Sequence, residues 1–96
     1  MDGRASGRLL LRLAAREFQA EHPDYKKAFE FNLAAAKLGE PCACFNMGYL
    51  YENGLGIETD LEAAIYWYEM ASQDGMKNAW VKSKALRKRL KGETAE

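Results

Sequence analysis

The sequence predicts an all-α fold, a short α/α solenoid of antiparallel helix pairs with about five helices. Three observations carry this. Compared with itself at a shift of 36 residues, the chain aligns Asp24 with Asp60, Ala28 with Ala64, Phe31 with Trp67, Ala35 with Ala71, Gly39 with Gly75 and Ala43 with Ala79. A period of this size is the length of a helix pair, which hides its apolar face only by stacking on the next pair. Apolar residues also recur at helical spacing between the glycines. Finally, 96 residues with 48% hydrophobic and 29% charged side chains are too apolar for a disordered chain and too charged for a membrane protein. They fill one domain, residues 1–96.

The first helix is expected at about 6–21, where Leu9, Leu10, Leu13, Ala14 and Phe18 form an amphipathic stripe. Pro23 and Asp24 then open a second helix that runs through Ala28, Phe31, Ala35 and Leu38 to Gly39. Together, residues 6–39 read as a degenerate first pair. The best-preserved unit is 41–75. Its first helix, 41–53, places Ala43, Met47, Leu50 and Tyr51 on one face and ends at Asn53-Gly54, because glycine accepts the left-handed conformation cheaply. After a loop over 55–59, a second helix starts near residue 60. Either Thr59 with Glu62 forms its capping box or Asp60 caps it. Leu61, Ala64, Ile65, Tyr68 and Ala71 keep the 3.6-residue period, and Gly75 closes the unit. Ala79, Ser83, Leu86 and Leu90 mark a closing basic helix at 77–91.

The run Ala43-Cys44-Phe45-Asn46-Met47-Gly48-Tyr49-Leu50-Tyr51-Glu52-Asn53-Gly54-Leu55-Gly56-Ile57-Glu58-Thr59-Asp60, followed by Ala64, Trp67-Tyr68, Ala71 and Gly75, resembles the Sel-1-like repeat family, relatives of the tetratricopeptide repeats. Two positions depart from that pattern: Met47 stands for a leucine and Ser72 for the second closing alanine, both size-tolerant changes. Lys84 stands where Gly48 would recur, so the last helix reads as a cap rather than a further full repeat. The resemblance implies a tetratricopeptide-like right-handed superhelix whose usual task is to hold other proteins. It implies no reaction. Some related repeats staple each helix pair with a disulfide, whereas Cys42 and Cys44 share one helix and point in different directions.

A search for chemistry finds little. The single histidine, His22, sits at a helix junction with no serine or cysteine at an informative spacing, and two thiols with one histidine do not make a zinc ligand set. No catalytic residue, metal or cofactor is expected. Glu58, Asp60 and Glu62 favour a helix start through its dipole, and Gly54-Leu55-Gly56 lacks the strand and third glycine of a nucleotide fingerprint. Arg4, Arg8, Arg12 and Arg16 interrupt the leucines of the first helix, leaving no apolar stretch that resembles a signal peptide or a membrane span. A cytoplasmic location is expected, with an amphipathic targeting segment as the alternative.

The expected function is that of a protein-interaction scaffold that binds a peptide or protein segment on its concave face. On helix 41–53, Asn46, Tyr49 and Asn53 fall on the side opposite the apolar face, and the 36-residue shift carries Asn46 to Lys82 and Asn53 to Arg89. These five are the candidate partner-binding residues. Trp67 and Tyr68 are read as packing residues. The net charge of zero argues against a general polyanion binder, but the charge is split. From Leu38 to Met76 the chain carries Glu40, Glu52, Glu58, Asp60, Glu62, Glu69 and Asp74 and no base; Lys77, Lys82, Lys84, Arg87, Lys88, Arg89 and Lys91 follow. The expected reading is internal complementarity or a protein partner. The alternative is a basic helix contacting RNA or anionic lipid, and exposed solenoid ends allow self-association.

Overall fold

The computed structural model describes residues 3–92, with side chains from Ser6 onward. It consists of five α-helices: α1 (Gly3–Gln19), α2 (Tyr25–Lys37), α3 (Pro41–Asn53), α4 (Leu61–Gln73) and α5 (Lys77–Leu90). No strand occurs among the described residues. Each helix packs chiefly on its neighbours in sequence, and the result is a slab of 48 × 31 × 16 Å. The all-α solenoid expected from the repeat is the fold observed. The side chain of Arg4, the first of the four arginines that interrupt the leucines of the first helix, lies outside the described residues.

The caps follow from side-chain chemistry. Asp24 and Asp60 each precede a helix and accept a hydrogen bond from the backbone N–H three residues on, Lys27 and Ala63 respectively, at 3.1 Å. Of the two candidates at the second start, Asp60 is therefore the cap rather than Thr59. α1 stops two residues before the expected 21 because Pro23 disfavours helical backbone at His22. α2 and α4 end in the same hydrogen-bonded turn. Gly39 and Glu40 donate to Ala36 and Ala35, and one period later Gly75 and Met76 donate to Ser72 and Ala71.

The period is written into the core. Ala28, Ala35, Ala43, Ala64, Ala71 and Ala79, the aligned alanines, are all completely buried. Their small size lets helix axes approach closely, and Tyr68, Met47, Leu50 and Leu86 fill the remaining space. An edge-to-face aromatic pair marks each of the first three interfaces: Phe18 with Tyr25, Phe29 with Tyr51, and Phe45 with Tyr68, at 5.2 to 5.6 Å between centroids.

Two glycines are structural requirements. Gly48 faces the Tyr68 ring so closely that a β-carbon would lie 2.7 Å from its edge atoms. Gly56, at φ +77°, presses the 54–59 loop against the backbone carbonyl of Tyr25, where any side chain would collide. The loop thereby ties the α3–α4 pair to the start of α2, and Asp60 N–H closes it on Tyr51 C=O at 3.0 Å.

Candidate functional site

α3 is the middle helix of the slab and carries three of the five expected partner-binding residues. Its inner face is as read: Ala43, Met47 and Leu50 are fully buried and Tyr51 is half-buried. Tyr49 is exposed, at 44% of its surface. Asn53 is exposed and donates to the Tyr49 carbonyl at 3.0 Å, which holds its amide along the helix.

Asn46 differs from expectation. Rather than standing free opposite the core, it is half-buried and donates to the side-chain oxygen of Asn32 on α2 at 3.1 Å. Asn32 is itself fully buried and donates to Ala28 C=O at 2.9 Å. The reason is that α3 is flanked by α2 as well as α4, so the sector carrying Asn46 lies at a helix contact. The pair satisfies a polar group that would otherwise be stranded in an alanine-lined interface.

Lys82 and Arg89 come together on α5, and both converge on Glu52 of α3. Lys82 Nζ lies 3.3 Å from Glu52 Oε1 and Arg89 Nη1 lies 4.0 Å from Oε2. The same carboxylate accepts the Tyr68 hydroxyl at 2.8 Å, and the Lys82 ammonium stands 5.7 Å from the Tyr68 ring centre. Burial, and then the bond to Glu52, push the Tyr68 phenol well above its ordinary range, so it stays a donor. Glu52 is thus a hub joining α3, α4 and α5, a role that sequence reasoning missed. The signal lay in Tyr68: a buried aromatic hydroxyl needs an acceptor, and Glu52 is an acid of the preceding helix. Asn32, also missed, was signalled by an amide in a run of apolar residues.

The charge split is partly spent within the fold. Besides the Glu52 pairs, Arg87 Nε reaches Glu69 on α4 at 2.9 Å, and its Nη2 bonds the same oxygen. Lys84 instead rests its ammonium 4.4 Å above the Trp80 ring. Cys42 is exposed and Cys44 buried, both as free thiols. Burial, with a smaller contribution from Asp74, raises the Cys44 pKa. His22 is exposed. Among the described residues no three His, Cys, Asp or Glu side chains gather to hold a metal, and no helix is long and apolar enough to cross a membrane. Trp67 and Tyr68 are half-buried and buried, in keeping with packing.

The Sel1 repeat profile matches residues 20–40 and 43–76, more than half of the chain. The chain belongs to the Sel1 repeat family. Relatives include the chitin synthase regulator SKT5 of Saccharomyces cerevisiae, 43% identical over 56 residues, which are 58% of this chain and 8% of that protein. Human protein sel-1 homolog 2 is 43% identical over 51 residues, 52% of this chain and 7% of its own length. The chain thus spans less than a tenth of either relative. A crystal structure of a Sel1 repeat protein from Oxalobacter formigenes superposes with a TM-score of 0.76 at 27% identity, covering 82% of this chain and 61% of that one. As a type, Sel1 repeats are scaffolds for protein interaction rather than catalysts. The matched segments run from the end of α1 to the start of α5, so α1 and α5 are the divergent ends.

Proposed function

We propose that this Sel1 chain is a non-catalytic scaffold module that holds a peptide or protein segment on the concave surface formed by α1, α3 and α5, the first helices of successive pairs. The observation that carries the reading is Tyr49, a large amphipathic side chain 44% exposed on the middle helix, with Asn46 and Asn53 on the same side three residues before and four after. A tyrosine in this setting gives contact area at little entropic cost, and the exposed Asn53 and the side-chain oxygen of Asn46, whose amide nitrogen is committed to Asn32, supply hydrogen bonds to a peptide backbone. Lys82 and Arg89 extend the surface onto α5. Both remain substantially exposed while paired with Glu52, and each has donors to spare for a partner carboxylate or carbonyl. The reading includes a cytoplasmic setting, in which the free thiols Cys42 and Cys44 stay reduced.

Affinity capture with the intact chain tests it, with Tyr49→Ala beside Tyr66→Ala as control. Tyr66 is 55% exposed on α4, away from the proposed surface. Loss of one specific protein with Tyr49→Ala but not with Tyr66→Ala is the expected result. Identical capture profiles for both variants and the parent chain would overturn the assignment.

A further inference from the structure

α5 repeats α3 at the 36-residue shift, and its inner face does the same work: Ala79, Ser83 and Leu86 are buried where Ala43, Met47 and Leu50 are buried in α3. The adjoining sector does not repeat. On α3 that sector is Cys44, Phe45, Gly48 and Glu52, and α4 covers it. Phe45 meets the Tyr68 ring edge-on, Gly48 makes room for that ring, Glu52 accepts its hydroxyl, and Cys44 feels the charge of Asp74 at the end of α4. On α5 the matching residues are Trp80, Val81, Lys84 and Lys88, and all four are exposed, Trp80 at 53% and Val81 at 61%. A shallow hollow runs along them beside Ala85.

We propose that this face of α5 docks an acidic amphipathic helix from another protein, lying on α5 as α4 lies on α3. Charge selects the occupant. Among the described residues no carboxylate pairs with Lys77, Lys84, Lys88 or Lys91. The helix that fills the equivalent place one unit earlier carries Asp60, Glu62, Glu69 and Asp74 and no base from 60 to 74. A second copy stacked head to tail is disfavoured by the same charge, because α1 at the other end exposes Arg8, Arg12 and Arg16. Trp80 and Val81 supply the apolar anchor. Lys84 replaces the glycine that admits Tyr68, so the docking helix carries a small or acidic residue at that register, where a carboxylate meets the ammonium.

The probe is a peptide with the sequence of residues 60–75 bearing Tyr68→Glu, held helical by a lactam bridge on its polar face and titrated unlabelled into the 15N-labelled chain. The expected result is saturable shifts of the Trp80 indole N–H and the amides of 80–88, with those of Tyr49 and Asn53 unmoved. Val81→Asp, and Lys84→Glu with Lys88→Glu, should each weaken binding about tenfold or more, with thermal midpoints kept near the parent's because these side chains are exposed. Equal binding of a scrambled peptide or of polyglutamate would reduce the face to a bare charge patch and overturn the proposal. Shifts centred on Tyr49, no saturation at millimolar peptide, or a dimer in light scattering that sequesters Trp80 would overturn it too. Capture through Tyr49 is a separate readout, so this proposal and the concave-face assignment stand or fall independently.

Discussion

At the scale of single residues, the tightest constraint is Gly48 against Tyr68. A β-carbon there meets the ring at 2.7 Å, and the ring, fully buried and pinned by Phe45 and Glu52, has no room to retreat. Gly48→Ala should therefore destabilise the chain by about 1–3 kcal/mol despite its better helix propensity, read from the urea midpoint at constant slope. Tyr68 itself gives a pH prediction. Its phenol is raised above the ordinary value of 10.0, first by burial and then by Glu52. In the unfolded chain it ionises near that value while the folded chain keeps its proton. The stability it contributes is whole below pH 10.0 and drains as pH rises beyond. Tyr68→Phe should lower stability at pH 8 through loss of the bond to Glu52, yet decline less steeply above pH 10; urea unfolding of both proteins at pH 8 and 10.5 separates the two effects.

At the scale of the helices, stops and starts are local chemistry, and they were largely legible. Asp24 and Asp60 declare themselves by position, as do the glycines at 39, 54 and 75. Asp60→Ala should cost about 1 kcal/mol, and Thr59→Ala less, because only the aspartate accepts from the N–H of Ala63; thermal unfolding of the two variants checks the order. The links between helices were less legible. Glu52 finds Lys82 and Arg89 only because α5 packs back beside the α3–α4 pair, and Asn46 finds Asn32 only because α2 and α3 press together. Both pairings depend on the superhelical path, which a 36-residue repeat implies in kind but not in register. For the same reason, Tyr49 could be read as exposed from its helix alone, whereas Asn46 could not be read as half-buried.

At the scale of the whole molecule, packing is almost entirely between sequence neighbours. Each helix can dock on one already formed, without closing a long loop. Folding should accordingly be fast, roughly microseconds to milliseconds. Stopped-flow or temperature-jump kinetics followed through tryptophan emission measure this, and a phase of seconds would contradict it. The α5 end of the slab differs from its middle: Lys84 in place of a glycine removes the close contact that would let another Tyr68 descend on α5, while the apolar pair Trp80 and Val81 remains open beside it.

The matching hydrogen-bonded turns at Gly39–Glu40 and Gly75–Met76 make the chain modular in a practical sense. A gene segment encoding residues 41–76, repeated after codon 76, meets the same turn at its seam, but the α4 of the first copy offers Tyr68 where α2 offers Asn32, so a lengthened rod also needs a new partner for Asn46 of the added copy.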